Sequence, residues 1–241
     1  MPVSPIVHGV IFCVVTAAAC LQGSIGFGFA LVAAPILVLI DPSFVPGPVM
    51  VNAAVLTAFI LLREHQSVRL TPVRWALLGS LLGTTLAGTA LSFVGSYGFS
   101  LLFSAVVLAA VFLSVMGIHP RVTQRNAIVA GVASGFMGTT SAIGGPPMAL
   151  LFQAERGSVL RGNLSAYFLC STLIGLSMLT YIGRFGKPEI ELAQRMLPGL
   201  IVGFVLSLRA SRFLDRGTIR PAVLALCSAA AIAILVRTLS M

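Results

Sequence analysis

The 241-residue chain is 58% hydrophobic and only 9% charged, against roughly 45–50% apolar and about 25% charged residues in a soluble domain. A water-facing globule, a disordered chain and a coiled coil are excluded, and a polytopic membrane protein remains. The formal charge of +9 comes from 15 Lys+Arg against 6 Asp+Glu, with Lys187 the only lysine and no basic cluster with interleaved aromatics, so the excess reads as basic loops held on the cytoplasmic side of a membrane and not as a nucleic-acid footprint.

One span needs about 20 apolar residues, so the chain holds at most about eight. All of it, 1–241, reads as a single integral membrane domain. The first apolar stretch runs from Ile6 to Ile40. As one helix it would be about 52 Å long, against a hydrocarbon core of about 30 Å, so it must break or turn back. Gln22-Gly23-Ser24-Ile25-Gly26-Phe27-Gly28 supplies the break, because glycine weakens helices, and Pro35 adds a second interruption. The stretch is expected to be mature structure and not a signal peptide, because residues 1–7 lack the usual positive charge and the apolar run continues through Ile40.

Asp41 to Pro48 is a turn-rich loop. Helices are expected at about Val49–Leu62, Trp75–Val94 and Phe99–Ile118, separated by a basic loop at 63–74 and an uncharged turn at 95–98. A second basic loop covers His119 to Arg125. The pattern then restarts. Ile128 to Phe152 is apolar but interrupted by Thr139-Thr140-Ser141-Ala142-Ile143-Gly144-Gly145-Pro146-Pro147. Further helices are expected at about Leu164–Ile182, Met196–Leu208 and Ile219–Val236.

Gly23-Ser24-Ile25-Gly26 aligns with Ser141-Ala142-Ile143-Gly144 at an offset of 118, and Gly79, Gly83 and Ala87 with Gly199, Gly203 and Ser207 at an offset of 120. The second match is a pair of small-xxx-small stripes, which let helix backbones approach closely in lipid. The fold class is therefore all-α: a polytopic helical bundle of about eight hydrophobic segments in two internal repeats, about 1–118 and about 119–241, each with a broken or re-entrant first segment. Four crossings per half would make the repeats parallel. Three crossings plus a returning hairpin would invert them, placing 11 basic residues inside (Arg63, Arg69, Arg74, Arg121, Arg125, Arg156, Arg161, Arg209, Arg212, Arg216, Arg220) and four outside. The parallel alternative gives nine and six, so the count favours inversion, with the parallel arrangement as the alternative.

Backbone that leaves a helix inside a membrane is tolerated only against protein or a water-filled cavity, and paired interruptions in two repeats point to a transporter site. A half-helix starting after a break aims free N–H groups at the cavity. The candidate substrate-binding residues are Gln22, Gly23, Ser24, Gly26, Phe27 and Gly28 in the first break. In the second they are Thr140, Ser141, Gly144, Gly145 and Pro146. Asn52 and Asn163, which open the helices that follow, are candidate substrate-binding residues as well, with a structural role as helix cap or interhelical bond an equal alternative. Thr57, Tyr167, Ser171 and Thr172 sit on the same helices. The six carboxylates all fall in loops or at helix ends, and His8, His65 and His119 at ends, which favours an anion site over a cation site. Arg161 reads first as a positive-inside anchor. Cys13, Cys20, Cys170 and Cys227 lie in apolar runs with no metal or disulfide pattern. No HExxH, GxSxG or cysteine–histidine set is present, so neither an enzyme, a metal site nor a cofactor is expected.

The Gly-rich interruption followed by Pro35, its recurrence before Pro146-Pro147, and the basic loop at 63–74 resemble the sulfite exporter TauE/SafE family, also called the toluene sulfonate uptake permease family. The likeness covers essentially the whole chain. Where members of that family often carry a run of glycines, this chain has Phe27-Gly28-Phe29. The resemblance implies a multi-pass inner-membrane transporter of sulfite, organosulfonates or related small organic anions, bound at the two breaks. Its expected partners are the small anionic substrate and the lipid bilayer, with no nucleic acid, and it leaves room for a homo-oligomer. A non-transporting scaffold subunit and a passive anion channel are the competing readings.

Overall fold

The computed structural model describes residues 5–116, 120–155 and 157–210, with Ile232 and Val236; the expected helix at Ile219–Val236 and His119 lie outside these. Nine helices and no strand occur among the described residues: α1 (Pro5–Ile25), α2 (Phe29–Ile40), α3 (Gly47–Glu64), α4 (Leu70–Phe93), α5 (Ser96–Val115), α6 (Gln124–Ser141), α7 (Gly145–Leu151), α8 (Gly157–Tyr181) and α9 (Lys187–Ala210). Among the described residues, six stretches, at α1, α3, α4, α5, α8 and α9, are long and apolar enough to cross a membrane. The outer surface fits that environment. On α4, Leu78, Leu82 and Leu86 form an outward stripe, 50%, 60% and 56% exposed, while Gly79, Ser80, Gly83 and Ala87 face inward and are buried. A soluble helix would show the reverse.

Pro35 does not interrupt α2, which runs through it to Ile40. The helices α8 and α9 begin well before the expected Leu164 and Met196. Their first turns are polar, and counting apolar residues alone cut them short. Pro188 and Glu189 suit the opening turn of α9, where proline needs no N–H partner and a carboxylate meets the positive end of the helix.

Neighbouring residues fix the helix directions. Gly199 lies against Phe12 and Val15, Gly203 against Thr16 and Ala19, and Gly23 against Ser207, so α1 and α9 run parallel. Gly131 lies against Ala76 and Gly135 against Ser80, and Thr139 Oγ1 donates to Thr84 Oγ1 at 3.2 Å, so α4 and α6 run parallel. The next helix, α8, joins them, through Arg69 N–H to Asn163 Oδ1 at 2.7 Å, Ser80 Oγ to Ser171 Oγ at 2.6 Å, and Gly88 against Met178. The direction of α3 follows α9, from Asn52 Nδ2 on the Ala193 carbonyl to Phe59 on Phe204. Two trios result: α1, α3 and α9 in one direction, and α4, α6 and α8 in the other. They meet where α3 and α8 cross in opposite senses, with Glu64 on Arg161 near one end and Met50 on Gly175 toward the other.

The short helices turn back. The run from the first break through α2 ends beside Gly47, which packs on Phe185 and Glu189. That end also holds the bond from Arg184 Nη2 to the Val94 carbonyl. Thus α2 runs against α1. Beyond α7, Glu155 pairs with Arg69 at 3.1 Å at the opposite end of the bundle, so α7 runs against α6. Within each trio the tightest seams are backbone on backbone. A Cβ added at Gly79 or Gly83 would collide with the carbonyls of Ile128 or Val132, and one at Gly203 with that of Thr16. The stripes read from the sequence are seams of this kind, where small residues replace the missing hydrophobic drive between helices in lipid.

Candidate functional site

Helix α1 stops because its last turn meets two glycines in conformations that L side chains rarely adopt: Gly26 at φ 95° and Gly28 at φ 116°. The turn is held at both ends. Gly26 N–H donates to the Gln22 carbonyl at 2.7 Å. The Gln22 side-chain oxygen accepts from Phe29 N–H at 2.9 Å, at the start of α2. Arg63 Nη2 reaches in from the end of α3 to the Gly23 carbonyl at 2.8 Å. These bonds satisfy polar backbone groups that an apolar surrounding would otherwise leave unpaired.

The second break is built by hydroxyls. Helix α6 ends at Ser141, and Ala142 takes the left-handed conformation at φ 64°. Ser141 Oγ donates to the Met137 carbonyl at 2.8 Å and accepts from Ile143 N–H at 3.3 Å. Ser134 Oγ donates to the Gly144 carbonyl at 2.6 Å. Pro146 and Pro147 then open the seven-residue α7, where their missing N–H groups leave no bond unmade.

The two breaks meet. A Cβ added at Gly145 would lie 3.3 Å from the Phe27 ring. Between them is a cavity with about 50 Å³ open to the centres of water molecules, several times the ~10–15 Å³ that holds one water. The first break contributes Gln22, Phe27 and Gly28, with Ala30 and Leu31 from α2. The second contributes Ala142, Ile143, Gly144 and Gly145, with Ser134, Gly138 and Thr139 from α6. Met50, Ala53 and Thr57 of α3 and Phe168, Ser171 and Thr172 of α8 close the walls. Every described lining residue is uncharged.

Five expected site residues therefore line the cavity: Gln22, Phe27, Gly28, Gly144 and Gly145. The other eight surround it in supporting positions. Gly23 packs on Ser207 and Gly26 on the Arg161 backbone. Ser24 and Thr140 bond back to the carbonyls of Cys20 and Phe136, four residues earlier. Ser141 shapes the break, and Pro146 is buried in the first turn of α7. Neither asparagine is a cap. Asn52 Nδ2 donates to the carbonyls of Pro48 and Ala193 at 3.0 Å each, and Asn163 Oδ1 accepts from Arg69 N–H. Both are fully buried and tie α3 to α9 and α8 to α4. Thr57, Ser171 and Thr172 line the cavity, whereas Tyr167 stands behind it, its hydroxyl 3.5 Å from the Gly131 carbonyl. Sequence reasoning did not single out Ser134, Gly138, Met50, Ala53 or Phe168. The available signal was Ser134, Gly138 and Ala142 at four-residue spacing, which places them on one face of α6.

Glu64 is not a loop residue. It is the last residue of α3, 8% exposed, and its Oε1 accepts from Arg63 Nε at 3.0 Å and Arg161 Nε at 2.8 Å. Arg161 is thus more than an anchor. The cluster carries one carboxylate and two guanidinium groups, a net +1, and it abuts the first break through Gly23 and Gly26.

No curated protein and no solved structure matches the chain. A model of the sulfite exporter TauE/SafE family matches residues 11–234, nearly the full length, and the chain belongs to that family.

Proposed function

We propose that the protein carries sulfite or small organosulfonates across the cell's inner membrane by alternating access, with the cavity between the two breaks as its binding site. The observation that supports this most is the meeting of both breaks at one small, uncharged, hydroxyl-lined cavity between two oppositely directed helix trios. Hydroxyl and amide donors suit an oxyanion, and rocking one trio against the other would expose the site to each side in turn.

The same packing supports an inverted repeat within one domain, residues 1–118 against 119–241. In it α1 corresponds to α6, α2 to α7, α3 to α8 and α4 to α9. The pairs α4–α6 and α9–α1 are then equivalent, and Asn163 and Asn52 each tie the third helix of one half to the fourth of the other, the first by accepting from Arg69 N–H and the second by donating to the Ala193 carbonyl. The end carrying Arg63, Arg69, Arg121, Arg125, Arg161 and Arg209 would face the cytoplasm.

The test is transport of sulfite or methanesulfonate in liposomes. Gly26→Leu, whose Cβ would meet Arg161, and Gly144→Leu, whose Cβ would meet Ser134, should both abolish saturable flux. Normal flux in both folded variants refutes the site. Flux without countertransport would make the protein a channel, and no flux together with a fixed co-purifying partner would make it a scaffold.

A further inference from the structure

We infer that this cavity takes its oxyanion in the singly charged form and rejects the doubly charged one, a refinement that rests on the oxyanion-carrier reading above. The argument starts from what the walls offer. The described lining residues supply five hydroxyls and one amide, and no cation. Several hydroxyl protons are already engaged. Thr57 donates to the Ala53 carbonyl at 2.7 Å, Ser134 to that of Gly144 at 2.6 Å, and Thr139 to the Thr84 hydroxyl. The Gln22 oxygen is held by Phe29 N–H, which leaves its NH₂ side as the amide donor. Ser171 shares one proton with Ser80. The donors left for a guest are therefore few and neutral.

Charge decides the rest. The solvation lost on entering a low-dielectric site grows with the square of the charge, so a dianion loses about four times what a monoanion loses. The compensation from a fixed set of neutral donors grows only in proportion to the charge. One fixed positive charge is close by: the Arg63–Glu64–Arg161 cluster, in contact with the first break through the Gly23 carbonyl and Gly26. It balances one negative charge and not two.

The protein's own titration does not change this balance. Among the described residues of the elements that wall the cavity, the titratable groups are His8, Cys13 and Cys20 on α1, Arg63 and Glu64 on α3, Arg125 on α6, and Arg161, Tyr167, Cys170 and Tyr181 on α8. The short helices α2 and α7 carry none. None of these groups lines the cavity. The pH dependence of binding should therefore follow the ionisation of the guest. For an oxyanion that loses its last proton near neutrality, as sulfite does, the hydrogen-bearing monoanion is the transported species.

Two nearly isosteric probes test this: methanesulfonate, a monoanion throughout, and methylphosphonate, which becomes a dianion. Binding to the purified full chain is measured by calorimetry at about pH 6 and about pH 9, below and above the second ionisation of a phosphonyl group. Methanesulfonate affinity should stay constant within about twofold, while that of methylphosphonate falls at least about tenfold. Thr172→Lys, which sets a fixed cation in the wall, should restore phosphonate binding at the higher pH. Equal or tighter binding of the dianion to the native chain overturns the inference while leaving the carrier reading intact. So does continued loss in a folded Thr172→Lys variant that still binds methanesulfonate. Binding of neither probe at either pH overturns the oxyanion reading, and this inference with it.

Discussion

Replacing Glu64 by Gln isolates the energetics of the buried cluster. The carboxylate is 9% exposed and its two arginine partners 24% and 19%. The amide keeps an acceptor oxygen but raises the cluster from +1 to +2, removing two attractions while the Arg63–Arg161 repulsion remains. Each attraction is about 4 kcal/mol in gross terms at an effective dielectric of ~20, much of it offset by solvation. Breaking a fully buried pair costs about 3–5 kcal/mol, and a surface pair contributes about 0–1. Partial exposure places this cluster between those limits, at about 2–3 kcal/mol. For a chain of this size that corresponds to a fall in Tm of roughly 5–10 °C, readable by intrinsic fluorescence in detergent. Adding Arg161→Gln should recover about 1 kcal/mol by removing the repulsion. A Tm within about 1 °C of the parent for Glu64→Gln would refute the picture of a desolvated three-charge cluster.

Gly83→Val should lower stability by more than about 3 kcal/mol, because its side chain would be driven into the Val132 carbonyl and the Phe136 amide; Gly95→Ala, with nothing within 4 Å of the added carbon, should stay within about 0.5 kcal/mol on the same thermal assay. Asn52→Leu should lower stability by about 1–3 kcal/mol by leaving the Ala193 carbonyl without its side-chain donor, and loss of less than about 0.5 kcal/mol, roughly a twofold change in the equilibrium, would show that the α3–α9 tie is dispensable. Single cysteines at Gln66 and Gln153 should be labelled from one side of the membrane and those at Gly95 and Gly183 from the other; labelling of all four from one side would refute the helix directions.

The two breaks were legible in the sequence because glycine, serine and threonine interrupt otherwise apolar stretches too long to cross once. The stripes at Gly79 and Gly199 were legible for the same reason: spacing alone places them on one face of a helix. What could not be read is pairing at a distance. Glu64 stands in Arg63-Glu64-His65, which looks like any charged loop, and only Arg161, 97 residues away, makes it a buried residue. Asn163 looked like a helix start because the polar first turns of α8 were not counted as helix, and Asn52 because the helix was expected only from Val49 whereas α3 begins at Gly47. The cavity walls on α6 were missed in part, since Ser134 and Gly138 precede the interruption and read as ordinary packing residues. Composition marks where a helix fails, but not which neighbours fill the gap.

The seam between α1 and α9 also sets an order for biosynthesis. Thr16 Oγ1 donates to the Gly199 carbonyl across 183 residues of chain. At roughly 5–20 residues per second the ribosome makes that stretch in about 9–37 s. The first helix to leave the ribosome therefore waits in the bilayer for the partner whose Gly199 and Gly203 pack on its backbone, while α4 and α6 close their own seam as soon as both are inserted. The newborn chain assembles from its middle outward, and a truncation before α9 would leave its earliest helix as an orphan for quality-control proteases to find.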